Sequence, residues 1–202
     1  SRKFIANIFN TKPKEIFFTS GGTESNNMII KSCIRHGVER IITTKIEHKA
    51  VLNPILSLHN NQKVELEFLS IDCEGNPDLN ELKSLLSKPK KTLVSLMHIN
   101  NEIGTMIDLE SIGCICHSHN ALFHSDTVQT IGHFTLDLSL INIDFITCSA
   151  HKFHGPKGVG FTYINEKNKA FPLIEGGEQE RGLRGGTEST HNIHGLKIAL
   201  EE

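Results

Sequence analysis

The sequence predicts an α/β protein built around a mostly parallel sheet. Two observations predict it. Short apolar runs alternate along the chain with longer amphipathic ones, the pattern of strands and helices taken in turn. Glycine-rich segments, at Gly21 and Gly22, residues 155–160, Gly176 and Gly177, and Gly185 and Gly186, fall at the boundaries between those runs, where open α/β sheets bind their ligands.

Residues 15–20 (EIFFTS) read as a strand, and 24–36 as a helix that stops at Gly37. Residues 40–44 (RIITT) form a second strand, followed by a helix from about 48 to 59, and 64–70 form a third strand. Asp78 is placed to cap a helix running to about residue 87. Residues 92–98 (TLVSLMH) read as a strand, 108–119 as a helix, 121–126 as a strand and 144–149 (DFITCS) as another. Residues 158–164 follow after a short turn, so this strand and the one before it are antiparallel or separated in the sheet. Residues 189–200 close the pattern as a helix, and no internal repeat, low-complexity stretch or linker interrupts it.

The 202 residues suffice for one sizeable core or one large piece of a bigger protein. Hydrophobic residues make up 38% and charged residues 22%, as in a soluble globular chain rather than a disordered one. A net charge of −2 leaves no electrostatic footprint for nucleic acid, and no block of like charge suits a membrane surface. Apolar runs such as 141–148 are too short to span a bilayer, and the start shows no signal-peptide pattern. The chain opens on Ser1 rather than Met, so a processed or missing start is expected. Five cysteines at irregular spacing do not form a disulfide framework, which points to a reducing cytosol. Cys114, Cys116, His117 and His119 invite comparison with a metal site. One helix would turn neighbouring residues to different faces, so unliganded thiols and no metal are expected.

Five segments carry chemistry. In SAHKFHGPKG a strand ends in small polar residues, and Lys152 follows before a glycine turn; partial desolvation and nearby positive charge can make such a lysine a Schiff-base nucleophile. In TSGGTESN a strand passes through Gly21 and Gly22 into a helix starting near Thr23, an anion site, or a helix capped locally by Thr23 and Ser25. Asp126 at a strand end suits the protonated nitrogen of a pyridine ring, with Gln129 in reach of a ring substituent; it serves equally as a helix cap. His48 can stack on a planar ring or move protons, although it is one of 12 histidines. Asn100 and Asn101, past the strand at 92–98, can reach a phenolic oxygen or shape a turn. A dinucleotide fold is the rival at fold level, but the G-x-G-x-x-G pattern and its acidic partner are missing.

Taken together the stretches FTSGGTESNN, EHKAV, MHINNEIGT, HSDTVQTIG, SAHKFHGPKGVG and GGEQERGLRGGTES resemble the cysteine desulfurases, class V aminotransferase-fold enzymes that depend on pyridoxal 5′-phosphate (PLP). The resemblance spans nearly the whole chain. It implies a three-layer α/β/α fold with a mixed seven-stranded sheet, the large domain of the PLP-dependent transferase type. Residues 1–202 would be that PLP-binding large domain, lacking its opening segment and the C-terminal small domain. By the same resemblance Lys152 holds PLP, Asp126 pairs with its pyridine nitrogen, His48 stacks on the ring, and Asn101 and Gln129 contact the 3-hydroxyl. Gly22, Thr23, Ser149 and His151 cradle the phosphate. Thr187 reaches the phosphate of a partner subunit, which implies a homodimer. The implied reaction converts L-cysteine to L-alanine and leaves the sulfur as an enzyme persulfide, for delivery to an acceptor or scaffold protein in iron–sulfur cluster assembly. Lys152, His48 and Asp126 are its catalytic residues. The loop bearing the sulfur-accepting cysteine matches none of the five cysteines here. Selenocysteine lyase, another class V enzyme, or an inactive PLP-binding or dimerisation fragment are the alternatives.

Overall fold

The computed structural model describes all residues 1–202. One seven-stranded sheet runs through it, built from β1 (Ile16–Thr19), β2 (Arg40–Thr43), β3 (Glu65–Phe68), β4 (Thr92–Ser95), β5 (Leu122–Asp126), β6 (Phe145–Ser149) and β7 (Gly160–Ile164). Their spatial order is β1-β7-β6-β5-β4-β2-β3. The five strands β2 to β6 pair in parallel, while β7 runs antiparallel to both β6 and β1. The helices are α1 (Arg2–Ile8), α2 (Gly22–Arg35), α3 (Lys49–Asn60), α4 (Leu79–Leu86), α5 (Leu109–Ser118) and α6 (Thr190–Glu201).

The interior strands are buried at almost every position, as in a sheet covered on both faces. Phe123, Ile146, Cys148 and Phe161 face Ile5 of α1, Leu82 of α4, Ile112 and Ile115 of α5 and Leu196 of α6. On the opposite face Phe17, Ile41, Leu93 and Phe145 pack under Met28, Ile29 and Cys33 of α2 and Val51 and Ile55 of α3. Three layers result, and truncating a core residue such as fully buried Ile29 to alanine would cost about 2–5 kcal/mol.

Helix starts follow their caps. The Asp78 carboxylate accepts from the amides of Asn80 and Glu81, and Asp108 does the same for Glu110 and Ser111. The expected elements are all present. Regular pairing of β4 stops at Ser95 rather than residue 98, although Leu96 and His98 still donate to the carbonyls of His124 and Asp126. Helix α1 and the antiparallel pairing of β1 with β7 were not foreseen.

The face under α2 and α3 changes character along each strand. Ile41 gives way to Thr43, Leu93 to Ser95, Leu122 to His124 and Asp126, and Phe145 to Thr147 and Ser149. The apolar ends anchor the helices, and the polar ends gather at the carboxyl edge of the parallel strands.

Candidate active site

A cavity of about 430 Å³ opens at that polar edge, beneath the start of α2. It falls within the ordinary size range for small-molecule sites. Gly22, Thr23, His48, Asn101, Asp126, Gln129, Ser149, His151 and Lys152 all line it. Of the residues the family resemblance assigns to the site, only Thr187 lies elsewhere. It is exposed in an adjoining hollow beside Arg184 and Gly186, and that hollow shares Ser20 and Gly158 with the main cavity.

Two glycines let α2 descend onto the sheet. Gly21 has φ +143°, which side chains rarely adopt, and a Cβ on Gly22 would lie 2.9 Å from Val128 Cγ2. No side chain caps the helix. The local-cap reading of Thr23 and Ser25 therefore fails, since the Ser25 hydroxyl pairs instead with Thr19 Oγ1 at 2.8 Å. The amides of the first turn remain available to an anion, with the helix dipole behind them. Ser149, buried at the end of β6, places its hydroxyl 2.8 Å from His151 Nδ1. Glu24 fixes the turn by accepting from the Ser20 amide at 2.9 Å and pairing with Arg184 at 3.1 Å.

At the other end stands Asp126, 3% exposed. Its Oδ1 accepts from the Val128 amide at 3.0 Å and its Oδ2 from Asn26 Nδ2 at 2.7 Å. Burial pushes its pKa above the ordinary carboxylate range, against the opposing pull of those two amides and of His48. His48 caps α3 with its ring: Nδ1 accepts from the Ala50 amide at 3.0 Å, which leaves the proton on Nε2. The two asparagines divide the two roles considered for them. Asn100 is buried and shapes the turn, accepting from the amides of Glu102 and Ile103, while Asn101 faces the cavity.

Lys152 sits on the 3₁₀ turn Ala150–Lys152 directly after β6, and its carbonyl accepts from His133 Nε2 at 2.9 Å. Its side chain is exposed. The desolvation anticipated for it is thus not supplied by these 202 residues, because the turn lifts it to the cavity rim. The anticipated positive surroundings are present in Lys157, which lines the same cavity. Burial, and then Lys152 and Lys157, pull the pKa of His151 down.

No cysteine lines the cavity. Cys148 is fully buried on the opposite face of β6, where burial pushes its thiol far up, and Cys33 is pushed to about 12. Along α5, Cys114 is exposed and Cys116 buried, as the helical reading requires. Asn26, Met97, Val128 and Lys157 line the cavity without having been singled out. Asn26 was detectable, since it lies three residues beyond Thr23 on one helix face; Met97 and Lys157 carried no comparable signal.

The aminotransferase class-V family model matches residues 1–201. The chain is 44% identical to cysteine desulfurase IscS of Dictyoglomus turgidum, with all of this chain and 51% of the relative covered. It is 41% identical to the mitochondrial cysteine desulfurase of Eremothecium gossypii, covering 43% of that protein. Among solved structures, a NifS-like protein superposes with TM-score 0.95 at 42% identity, over 99% of this chain and 56% of that one. A structure titled SspA in complex with cysteine superposes with TM-score 0.93 at 37% identity, over 100% of this chain and 59% of that one. The chain thus spans about half the length of the curated relatives it matches.

Proposed function

The chain belongs to the aminotransferase class-V family, and from that premise we propose that it is the PLP-binding large domain of a cysteine desulfurase. One observation carries the proposal. A single cavity joins an uncapped helix start, a buried carboxylate and a lysine amine. The donor set fits PLP. The cradle formed by Gly22, Thr23, Ser149 and His151 suits a phosphate, and a Cβ at Gly22 would press on Val128 and push the helix start away from the sheet. Asp126 suits a protonated ring nitrogen, and the side-chain amides of Asn101 and Gln129 suit a ring oxygen.

When bound, PLP supplies an electrophilic carbon and a sink for electrons released at the substrate. The protein's part is to bind, orient and move protons. Lys152 Nζ would hold the cofactor through its electrophilic carbon, and its free amine would move a proton at the substrate Cα. His48, with Nδ1 occupied by the Ala50 amide, would act through Nε2 alone and would offer its face to the ring. Asp126 stays an acceptor toward the ring nitrogen. Met97, Ala50 and Val128 supply the apolar walls. With no cysteine in the cavity, the sulfur-accepting thiol is assigned to a part of the whole protein outside these residues.

Cysteine as substrate is supported by the desulfurase relatives and by the cysteine named in the SspA structure. Exposed Thr187, in a hollow continuous with the main cavity, supports a homodimer with a shared site. An acceptor or scaffold protein for the sulfur follows from the same reading. We place the protein in the cytoplasm, on the strength of its five free thiols; no helix is long and apolar enough to cross a membrane.

The test is alanine and sulfide release by the full-length protein given PLP, a thiol reductant and L-cysteine. Stoichiometric alanine supports the reading. Release from L-selenocysteine alone transfers it to selenocysteine lyase, and PLP binding without release from either substrate leaves a binding module.

A further inference from the structure

Behind Asp126 runs a chain of buried polar side chains that the mechanism above does not use. Asn26, Ser95, His124 and Thr147 are each fully buried. Ser95 Oγ lies 2.8 Å from His124 Nδ1, and His124 Nε2 lies 3.3 Å from Thr147 Oγ1. Thr147 Oγ1 donates to Asn26 Oδ1 at 2.8 Å, and Asn26 Nδ2 donates to Asp126 Oδ2 at 2.7 Å. The strands set this spacing: Ser95 is paired across from His124, and Asp126 from Thr147, all on the face that α2 covers.

The direction of every bond follows from chemistry. A carboxylate only accepts, so Asn26 must present its amide nitrogen to Asp126 and its oxygen to Thr147. The Thr147 proton is therefore spent on Asn26, and its oxygen accepts from His124 Nε2–H. His124 Nδ1 is then bare and accepts from the Ser95 hydroxyl. Burial pulls the ring's pKa down to about 3, consistent with a neutral imidazole.

We propose that Ser95, His124, Thr147 and Asn26 form a one-way hydrogen-bond relay that polarises Asp126 toward the cofactor's ring nitrogen, with Thr147 as the positioning residue at its centre. Aligned donors in a dry interior strengthen one another, and their sum acts on the Oδ2 edge of the carboxylate. Burial alone would favour the protonated acid, which offers a protonated ring a neutral acceptor without the charge that holds its proton; the relay opposes that.

The inference rests on PLP as the ligand. PLP and its analogue with the ring nitrogen replaced by C–H are titrated into full-length apoprotein of wild type, Thr147→Val and Thr147→Ser. Thr147→Val is expected to weaken PLP binding about tenfold while leaving the analogue's affinity within about twofold, and Thr147→Ser to restore PLP binding. Equal loss for both ligands, no loss for PLP, or no rescue by serine would overturn the relay. Failure of wild type to bind PLP would instead overturn the proposed function. Should Thr147→Val not fold, neutron diffraction of the wild-type protein decides: a proton on His124 Nε2 alone supports the direction, and one on Nδ1 contradicts it.

Discussion

Asn26 donates its side-chain amide to Asp126 Oδ2 across 2.7 Å, joining the second turn of α2 to the last residue of β5. One helix thereby sets both the Gly22–Thr23 end and the Asp126 end of the cavity. Replacing Asp126 with alanine leaves the Asn26 amide and the Val128 amide without acceptors in a dry site. We expect Asp126→Ala to lower stability by about 1–3 kcal/mol, read from urea unfolding, and to remove PLP binding at micromolar concentration. Asp126→Asn should lose affinity with a smaller loss of stability.

Glu47 ties the loop before α3 to the end of β4, since its Oε1 accepts from the Met97 amide at 2.8 Å while Oε2 has no partner. Burial raises its pKa to about 8. A carboxyl that holds its proton more tightly folded than unfolded adds stability below about pH 4.5, and that stability is lost as pH rises toward 8. The stability difference between Glu47→Gln and wild type should therefore move by a few kcal/mol in favour of the variant between pH 5 and pH 8. A difference that does not change with pH would remove the buried-acid reading.

Thiol reactivity should divide the five cysteines. Cys73 and Cys114 are exposed, whereas Cys33, Cys116 and Cys148 are buried. Alkylation at pH 8 followed by peptide mass spectrometry should label the first pair promptly. The buried three should react only in denaturant, because burial raises each of their pKa values.

Arg2 grips Glu180 through two bonds, at 2.8 Å and 2.6 Å, and Glu180 also accepts from the Phe18 amide. Glu180 and Arg181 both have positive φ, 47° and 57°, so this grip holds a strained turn. Arg2→Ala should cost about 1–3 kcal/mol and open residues 176–188 to limited proteolysis, Arg2 being partly exposed.

Most strands and helices were legible because their signals are local: Asp78 and Asp108 as caps, and short apolar runs such as FITCS. Helix α1 was not, being seven residues with no side-chain cap on Ser1. The pairing of β1 with β7 joins residues over 140 positions apart, which no local pattern encodes. In the site, Lys152, Asp126 and Thr23 each lie at a strand end or helix start and could be read one by one. The relay behind Asp126 could not. Its members come from β4, α2, β5 and β6, and each alone is an ordinary buried Ser, Asn, His or Thr.

The central claim is that this cavity holds PLP on Lys152, and the most direct measurement is to reduce the PLP-loaded full-length protein with borohydride and map the modified peptide. The cavity offers two amines, Lys152 and Lys157. The expected result is one phosphopyridoxyl group per chain, on Lys152, lost in Lys152→Ala. Modification of Lys157 instead, or adducts scattered over surface lysines, would contradict the account.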